Sequence, residues 1–299
     1  VIYGSHQAET LVNKMCRRTD KYIICASVNA SESINNAVEM INEYEGVIIC
    51  DVPDKTRNFL LKYCFANSIR VYITPKISDI IIRGAAEVDL FDTPLLVCRN
   101  NGFTFEDRLF KRFFDIVFSL AAIIITSPVM LACAIAVKKH DGGRVFYRQK
   151  RLTEGGREFY VCKFRSMVAD AEKDGIPQLA EENDERVTPV GAFMRKYRID
   201  ELPQFFNVLK GDMSVVGPRP ERPELTEKYS RDMPEFRFRL AVKAGITGFA
   251  QVTGLYNTLP YDKLKMDLMY IENYSVFTDL KIIFMTVKTM LFPPKDGEI

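Results

Sequence analysis

The chain has 299 residues, 47% hydrophobic and 27% charged, which allows about two domains with a core in each and excludes a wholly disordered chain. Lys and Arg number 41 against 39 Asp and Glu; a net charge of +2 excludes a polybasic nucleic-acid coat, and no nucleic-acid partner is expected. Seven cysteines without a Cys-x-x-Cys pair, and only His6 and His140 besides, exclude a zinc site at the usual spacings and fit a reducing compartment better than a disulfide scaffold.

The chain opens on Val1 and enters a strand-like run directly, which reads as a fragment with sequence missing upstream. Val1–Gly4, Tyr22–Ser27, Gly46–Val52 and Arg70–Thr74 are predicted strands, rich in Val and Ile. Gln7–Cys16, Ser31–Tyr44 and Pro53–Asn67 are predicted helices, the second capped by Ser31. This alternation predicts an α/β domain with a parallel sheet. The polar stretch Arg99–Asp107 reads as a linker and sets the domains at 1–104 and 105–299.

Phe113–Val137 carries a single charge, Asp115. As a straight helix it would reach about 37 Å, enough to cross a hydrocarbon core of about 30 Å. Ser127-Pro128 interrupts it, and basic residues flank both ends: Lys111 and Arg112 before, Lys138 and Lys139 after. Proline removes a backbone donor, and basic flanks favour the cytoplasmic side for both ends. A re-entrant hairpin over 111–139, breaking at Ser127-Pro128, satisfies these features, with Ser127 serving a backbone group that the proline frees. A kinked spanning helix and a buried core helix are the competing readings.

Arg144–Arg165 is basic, and Val145–Tyr147 and Phe159–Val161 read as paired strands across Glu154-Gly155-Gly156. Such strands beside a membrane segment suit anionic head groups or a diphosphate. In Arg195–Pro203, Leu202, Phe206 and Leu209 predict a helix ending at Gly211, with Asp200 and Glu201 at its start. A helix start favours an ionised Asp200, able to attack phosphorus, and a second carboxylate beside it can help hold Mg2+. The pair alone is equally ordinary capping chemistry. Arg219 stands between Pro218 and Pro220, a stiff mount for a guanidinium suited to phosphate. Asp279–Phe292 reads as a helix in the membrane interface, with a core helix as the alternative.

Taken together, residues 109–292 resemble the bacterial sugar transferase family, the monotopic polyprenyl-phosphate sugar-1-phosphate transferases. The matching stretches include Lys111-Arg112-x-x-Asp115, Ser127-Pro128, Lys163-Phe164-Arg165-Ser166-Met167, Asp200-Glu201-Leu202-Pro203-Gln204, Gly217-Pro218-Arg219-Pro220, Gly245-x-Thr247-Gly248 and Asp267-x-x-Tyr270. The resemblance implies a mainly α monotopic catalytic domain with a small β element on the cytoplasmic face of the bacterial plasma membrane. It implies transfer of a sugar 1-phosphate from a UDP-sugar to undecaprenyl phosphate, with UMP released, as the first step of exopolysaccharide, capsule or O-antigen synthesis. By the same resemblance Asp200 is the nucleophile and Glu201 its partner, the two holding Mg2+. Arg219, Arg165, Lys163, Arg198, Arg151 and Gln149 are the candidate phosphate and nucleotide ligands. Lys111 and Arg112 are the candidate interface anchors. Many members have Pro where Ala244 stands and Arg where Leu255 stands, followed here by Tyr256-Asn257; these differences bear on the donor's identity.

Residues 1–104 resemble the degenerate Rossmann-like domain that precedes the transferase in large members, which implies a structural, regulatory or oligomerising role, a homodimer included. A dinucleotide fingerprint needs Gly at 4, 6 and 9, whereas the chain has Gly4, His6 and Glu9. Two further classes compete: a regulatory module tethered to an inactive transferase-like domain, and an NAD-dependent sugar dehydratase or epimerase. The intact Asp200, Glu201 and Arg219 argue against the first, and the missing Gly-rich turn argues against the second.

Overall fold

Short Val/Ile runs pair in parallel at the start of the chain because the helices between them carry the strands back to the same edge. The computed structural model describes residues 1–4, 7–16, 23–29, 34–99, 102–168, 184, 186–254 and 258–291. It divides into two compact units, Val1–Lys76 and Ile77–Ile299.

The first unit runs β1 (Ile2–Tyr3), α1 (Gln7–Cys16), β2 (Val28–Asn29), α2 (Ile34–Ile41), β3 (Gly46–Cys50), α3 (Asp54–Ala66) and β4 (Arg70–Ile73). The sheet order is β2-β1-β3-β4, all pairings parallel. Ile2, Ile41, Val47, Ile49, Leu60 and Cys64 form its core. The strand predicted at Tyr22–Ser27 forms instead at Val28–Asn29, where two residues find register with β1. The cap predicted at Ser31 lies outside the described residues.

The division between units falls at Lys76–Ile77, upstream of the linker at 99–107. The reason is α4 (Ile77–Arg83), whose Ile80 is buried in one core with Leu264 and Leu268. An antiparallel hairpin follows, β5 (Ala86–Leu90) with β6 (Thr93–Val97).

Helix α5 (Phe105–Asp141) runs without interruption through Ser127-Pro128. Thr104 caps its start by accepting from the Asp107 N–H, and Gly142 ends it in the left-handed conformation. Pro128 leaves the Ile124 carbonyl without its helical donor, and the Ser127 hydroxyl donates to that carbonyl at 2.8 Å. The service predicted for Ser127 is therefore present, while the predicted break is absent: a proline with its orphan carbonyl satisfied need not end a helix. Only 11% of the helix's most apolar 18-residue window is buried, which overturns the buried core helix. Asp115 and Val137, at its two ends, are nonetheless both buried in the second unit, whereas Leu120, Ile124, Ile125 and Val129 between them are exposed.

The catalytic elements follow. Strands β7 (Phe146–Leu152) and β8 (Glu158–Phe164) form the predicted hairpin, with Tyr147 opposite Lys163 and Gln149 opposite Val161. Then come α6 (Pro189–Lys196), α7 (Gln204–Lys210), β9 (Ser214–Val216), α8 (Pro223–Asp232), β10 (Gly245–Thr247), α9 (Phe249–Thr253), α10 (Pro260–Glu272) and α11 (Val276–Leu291). Strands β9 and β10 pair in parallel and lie so close that a Cβ on Gly245 would stand 2.1 Å from the Gly217 nitrogen. Two cores serve this unit, one around Val208, Met213, Phe236 and Leu264, the other joining Met130 and Val137 to Phe164, Met194 and Leu202. In α11 Ile282 is buried in the core, while Phe277, Leu280, Phe284, Val287 and Leu291 form an exposed apolar stripe.

Candidate active site

Asp200 and Glu201 occupy a single 3-10 turn, Ile199–Glu201, ahead of α7 rather than at its first residues. The turn is launched by Arg198, a non-glycine residue at φ 53. Such a conformation costs about 1–2 kcal/mol for an L-residue and is typical of sites where geometry matters more than stability. Both carboxylates are buried.

Two cations converge on one of them. Lys163 Nζ lies 2.7 Å from Glu201 Oε1, and Arg219 Nη2 lies 3.0 Å from the same oxygen. Burial works against the charge on Glu201, but Arg219 and Lys163 outweigh it and hold its carboxyl far below the ordinary range. No described residue donates a hydrogen bond to the Asp200 side chain. Burial first, and the neighbouring Glu201 charge second, push Asp200 up to about 6, against the pull of Lys163, Arg195 and Arg219. The helix start that the sequence argument credits for the charge on Asp200 is not its cause. Helix α7 starts four residues later, and the field at Asp200 is set by burial and by side-chain charges.

Backbone fastening explains how these groups meet. Asn207 on α7 accepts from the Cys162 N–H at 2.9 Å and donates to the Tyr160 carbonyl at 2.8 Å. It thus pairs with the free edge of β8 as a strand would, holding Lys163 beside the turn. Arg195 donates to the Ser166 hydroxyl at 2.8 Å, which keeps it near Asp200. Nothing in the residue type of Asn207 signals a strand-edge clamp.

Other predicted ligands are committed elsewhere. Arg165 forms an ion pair with Asp141 at the end of α5, so its guanidinium closes the hairpin onto the helix instead of facing the carboxylates. Arg151 donates to the Pro220 carbonyl and to the Gln149 side chain, at 3.1 and 2.6 Å. Burial lowers the Arg151 pKa to about 10, with Glu221 opposing the shift. Gln149 in turn donates to the Tyr147 hydroxyl at 3.3 Å. Arg198 contributes charge that steadies Glu201, and its carbonyl accepts from the Glu201 N–H at 3.2 Å.

The expected interface anchors make internal contacts. Lys111 is buried, 2.6 Å from Asp279 and 3.0 Å from the Tyr270 hydroxyl. Arg112 donates to the Val208 and Leu209 carbonyls at 2.6 and 2.8 Å, fastening the end of α7. Asp115 accepts from the Ser214 hydroxyl and the Val215 N–H at 2.9 and 2.8 Å. One stretch of α5 therefore fastens α11, α7 and β9, the last two flanking Asp200-Glu201 and Arg219. Charges that looked like head-group contacts are internal because their partners arise roughly 100 to 170 residues later in the chain.

The bacterial sugar transferase family model matches residues 106–293. The chain belongs to this family. Among its relatives, a UDP-N-acetylgalactosamine-undecaprenyl-phosphate N-acetylgalactosaminephosphotransferase of Aeromonas hydrophila is 45% identical over 184 residues, 60% of this chain and 43% of its own length. A UDP-glucose:undecaprenyl-phosphate glucose-1-phosphate transferase of Klebsiella pneumoniae is 44% identical over 211 residues, 69% of this chain and 43% of its own length. An undecaprenyl-phosphate galactose phosphotransferase of Salmonella typhimurium is 40% identical over 212 residues, 66% of this chain and 44% of its own length. The chain thus spans less than half of each of these relatives. Of the departures noted in the sequence, Ala244 uses its N–H to donate to Thr153 at 3.2 Å, a bond a proline cannot make. Residues 255–257 lie outside the described residues.

Proposed function

We propose that the chain transfers a sugar 1-phosphate from a UDP-sugar to undecaprenyl phosphate, releasing UMP, at the cytoplasmic face of the bacterial plasma membrane. This is the opening membrane step of exopolysaccharide, capsule or O-antigen synthesis. The observation that carries the reading is the unequal carboxylate pair: Glu201 neutralised by Lys163 and Arg219, and Asp200 beside it with no hydrogen-bond donor among the described residues.

An Asp200 pushed to about 6 is mostly ionised at neutral pH. Its free oxygen attacks the sugar-bearing phosphorus. The bond from that phosphorus to the bridging oxygen breaks, and UMP leaves with the electron pair. Undecaprenyl phosphate then attacks the same phosphorus through a phosphate oxygen, the acyl-phosphate bond breaks, and Asp200 is regenerated. Arg219 and Lys163 neutralise charge on the transferring group, which is the main demand of phosphoryl transfer.

Among the described residues no group of three His, Cys, Asp or Glu comes together. Asp200 and Glu201 would hold a magnesium ion together with phosphate oxygens of the donor, a sparse protein donor set that suits this ion. When bound, it adds positive charge at the diphosphate.

The membrane placement is supported by α5. A crossing helix would separate Asp115 from Val137 by about 33 Å, on opposite sides of the hydrocarbon. Both are buried in one unit, which supports a helix that dips into the bilayer and returns. The exposed stripe on α11 supports a second contact with lipid. The parallel order β2-β1-β3-β4 supports a Rossmann-like first unit with a structural or regulatory role.

The test is UMP release from a panel of UDP-sugars with Mg2+ and undecaprenyl phosphate in detergent, for the wild type and Asp200→Asn. Release with one sugar that is lost in the variant supports the reading and names the donor. Release that survives in Asp200→Asn overturns the covalent step.

A further inference from the structure

The segment Pro218-Arg219-Pro220-Glu221 is gripped from two sides. Arg151 Nη1 donates to the Pro220 carbonyl at 3.1 Å, and Arg239 Nη2 donates to the Arg219 carbonyl at 2.9 Å. Glu221 lies between the two arginines, one carboxylate oxygen 3.8 Å from Arg151 and the other 3.7 Å from Arg239. Arg239 is itself buried, with Asp267 at 2.7 Å and the Phe236 ring centre 5.0 Å from its guanidinium. The carbonyls of Glu221 and Pro218 are tied down as well, accepting from the N–H groups of Leu152 at 3.0 Å and Gly245 at 2.9 Å.

The side chain of Arg219 behaves differently from this mount. It is 44% exposed, and its guanidinium has one direct hydrogen-bond partner among the described residues, Glu201. A long, half-exposed side chain keeps little aim of its own, so where its guanidinium points depends on how firmly its backbone is held. A buried Arg–Asp pair is a weak source of stability, because desolvating both charges offsets most of their attraction. Its specific product here is a donor directed at one carbonyl, that of Arg219.

We propose that Arg151, Glu221, Arg239 and Asp267 are positioning residues for Arg219, clamping its backbone so that its guanidinium stands ready at the Asp200-Glu201 pair. The inference rests on the phosphosugar-transfer reading and deepens it. None of the four touches the transferring group. They act through Arg219, which then need not reorganise as charge develops.

The test pairs Arg239→Met with Asp267→Leu, removing the buried charges together so that neither is left uncompensated. Hydrogen exchange, thermal melting and donor-dependent UMP release are measured on the full chain in detergent, in the wild-type and Arg219→Lys backgrounds. In the double variant the Leu152 and Gly245 amides exchange at least tenfold faster, with melting close to wild type. Its kcat/KM for the UDP-sugar falls at least tenfold, while KM for undecaprenyl phosphate moves less than twofold. In the Arg219→Lys background the same pair changes kcat/KM less than twofold, because the aimed group is already altered.

Unchanged exchange, or a loss that multiplies with that of Arg219→Lys, overturns the proposal. If the double variant melts far below wild type, Arg151→Met at the other jaw carries the same comparison. A wild-type chain that releases no UMP with any donor sinks the transfer reading instead, and the exchange rates still decide whether the mount is clamped.

Discussion

Lys163 Nζ stands 2.7 Å from Glu201 Oε1, so a cation on β8 neutralises the second carboxylate of the pair and leaves the first to respond to pH. The two residues push Asp200 in opposite directions: Glu201 raises its pKa and Lys163 lowers it. Glu201→Gln is therefore expected to move the acid limb of the UMP-release profile below its wild-type position near pH 6, and Lys163→Met to move it above. Both variants also lose rate, because charge near the transferring phosphorus changes. The diagnostic is the opposite sign of the two shifts, read from initial rates between pH 4.5 and 8.

Asp200→Asn is expected to lower UMP release by about a thousandfold or more, as for loss of a nucleophile. It is also expected to stabilise the fold at neutral pH. The folded pKa of Asp200 is about 6 against an ordinary 3.8. Between those values the folded chain keeps a proton that the unfolded chain releases, so stability falls as pH rises through the window. At pH 7 the whole penalty is present, about 1–3 kcal/mol. At pH 4, where Asp200 is protonated in the fold, most of the advantage of Asn disappears. Melting curves of both proteins at the two pH values check the sign.

The sequence made parts of this arrangement legible and hid others for definite reasons. The hairpin around Glu154-Gly155-Gly156 was readable because its alternation and its turn are local. Ser127 was readable because the carbonyl it serves lies three residues back. Asp200, Glu201, Lys163 and Arg219 were each visible, and the structure brings these four together. The internal contacts of Arg165, Lys111 and Arg112 were hidden because a basic residue near a membrane segment looks the same whether its partner is a lipid phosphate or a distant carboxylate or carbonyl. Only the tertiary fold supplies Asp141, Asp279 and the end of α7 as those partners. The boundary at Lys76 was hidden for a similar reason: Ile80 joins a core whose members are scattered from Phe103 to Ile282.

The Lys111–Asp279 pair yields a stability prediction that a head-group anchor would not. Both side chains are largely shielded, 7% and 15% exposed. Lys111→Met strands the Asp279 carboxylate and is expected to cost about 3–5 kcal/mol. Lys111→Met combined with Asp279→Leu removes both charges and is expected to recover most of that loss. Lysine acting only as a lipid anchor would show no such rescue. Denaturation in detergent micelles, where no bilayer surface is present, measures the difference.

The path of α5 can be read directly by labelling. Glu106 and Lys139 lie near its two ends and are exposed. In a cysteine-free background, Glu106→Cys and Lys139→Cys are both expected to react with a membrane-impermeant maleimide from the cytoplasmic side alone. The opposite outcome, one site labelled only from outside, identifies a spanning helix. Pro128→Leu sharpens the test, because it restores the N–H that the Ile124 carbonyl lacks and removes the ring that disfavours a straight helix. The re-entrant reading needs a bend at Pro128 for Asp115 and Val137 to stay buried in one unit while the apolar middle lies in lipid. In Pro128→Leu a fraction of chains is therefore expected to expose one end outside, with a matching fall in UMP release.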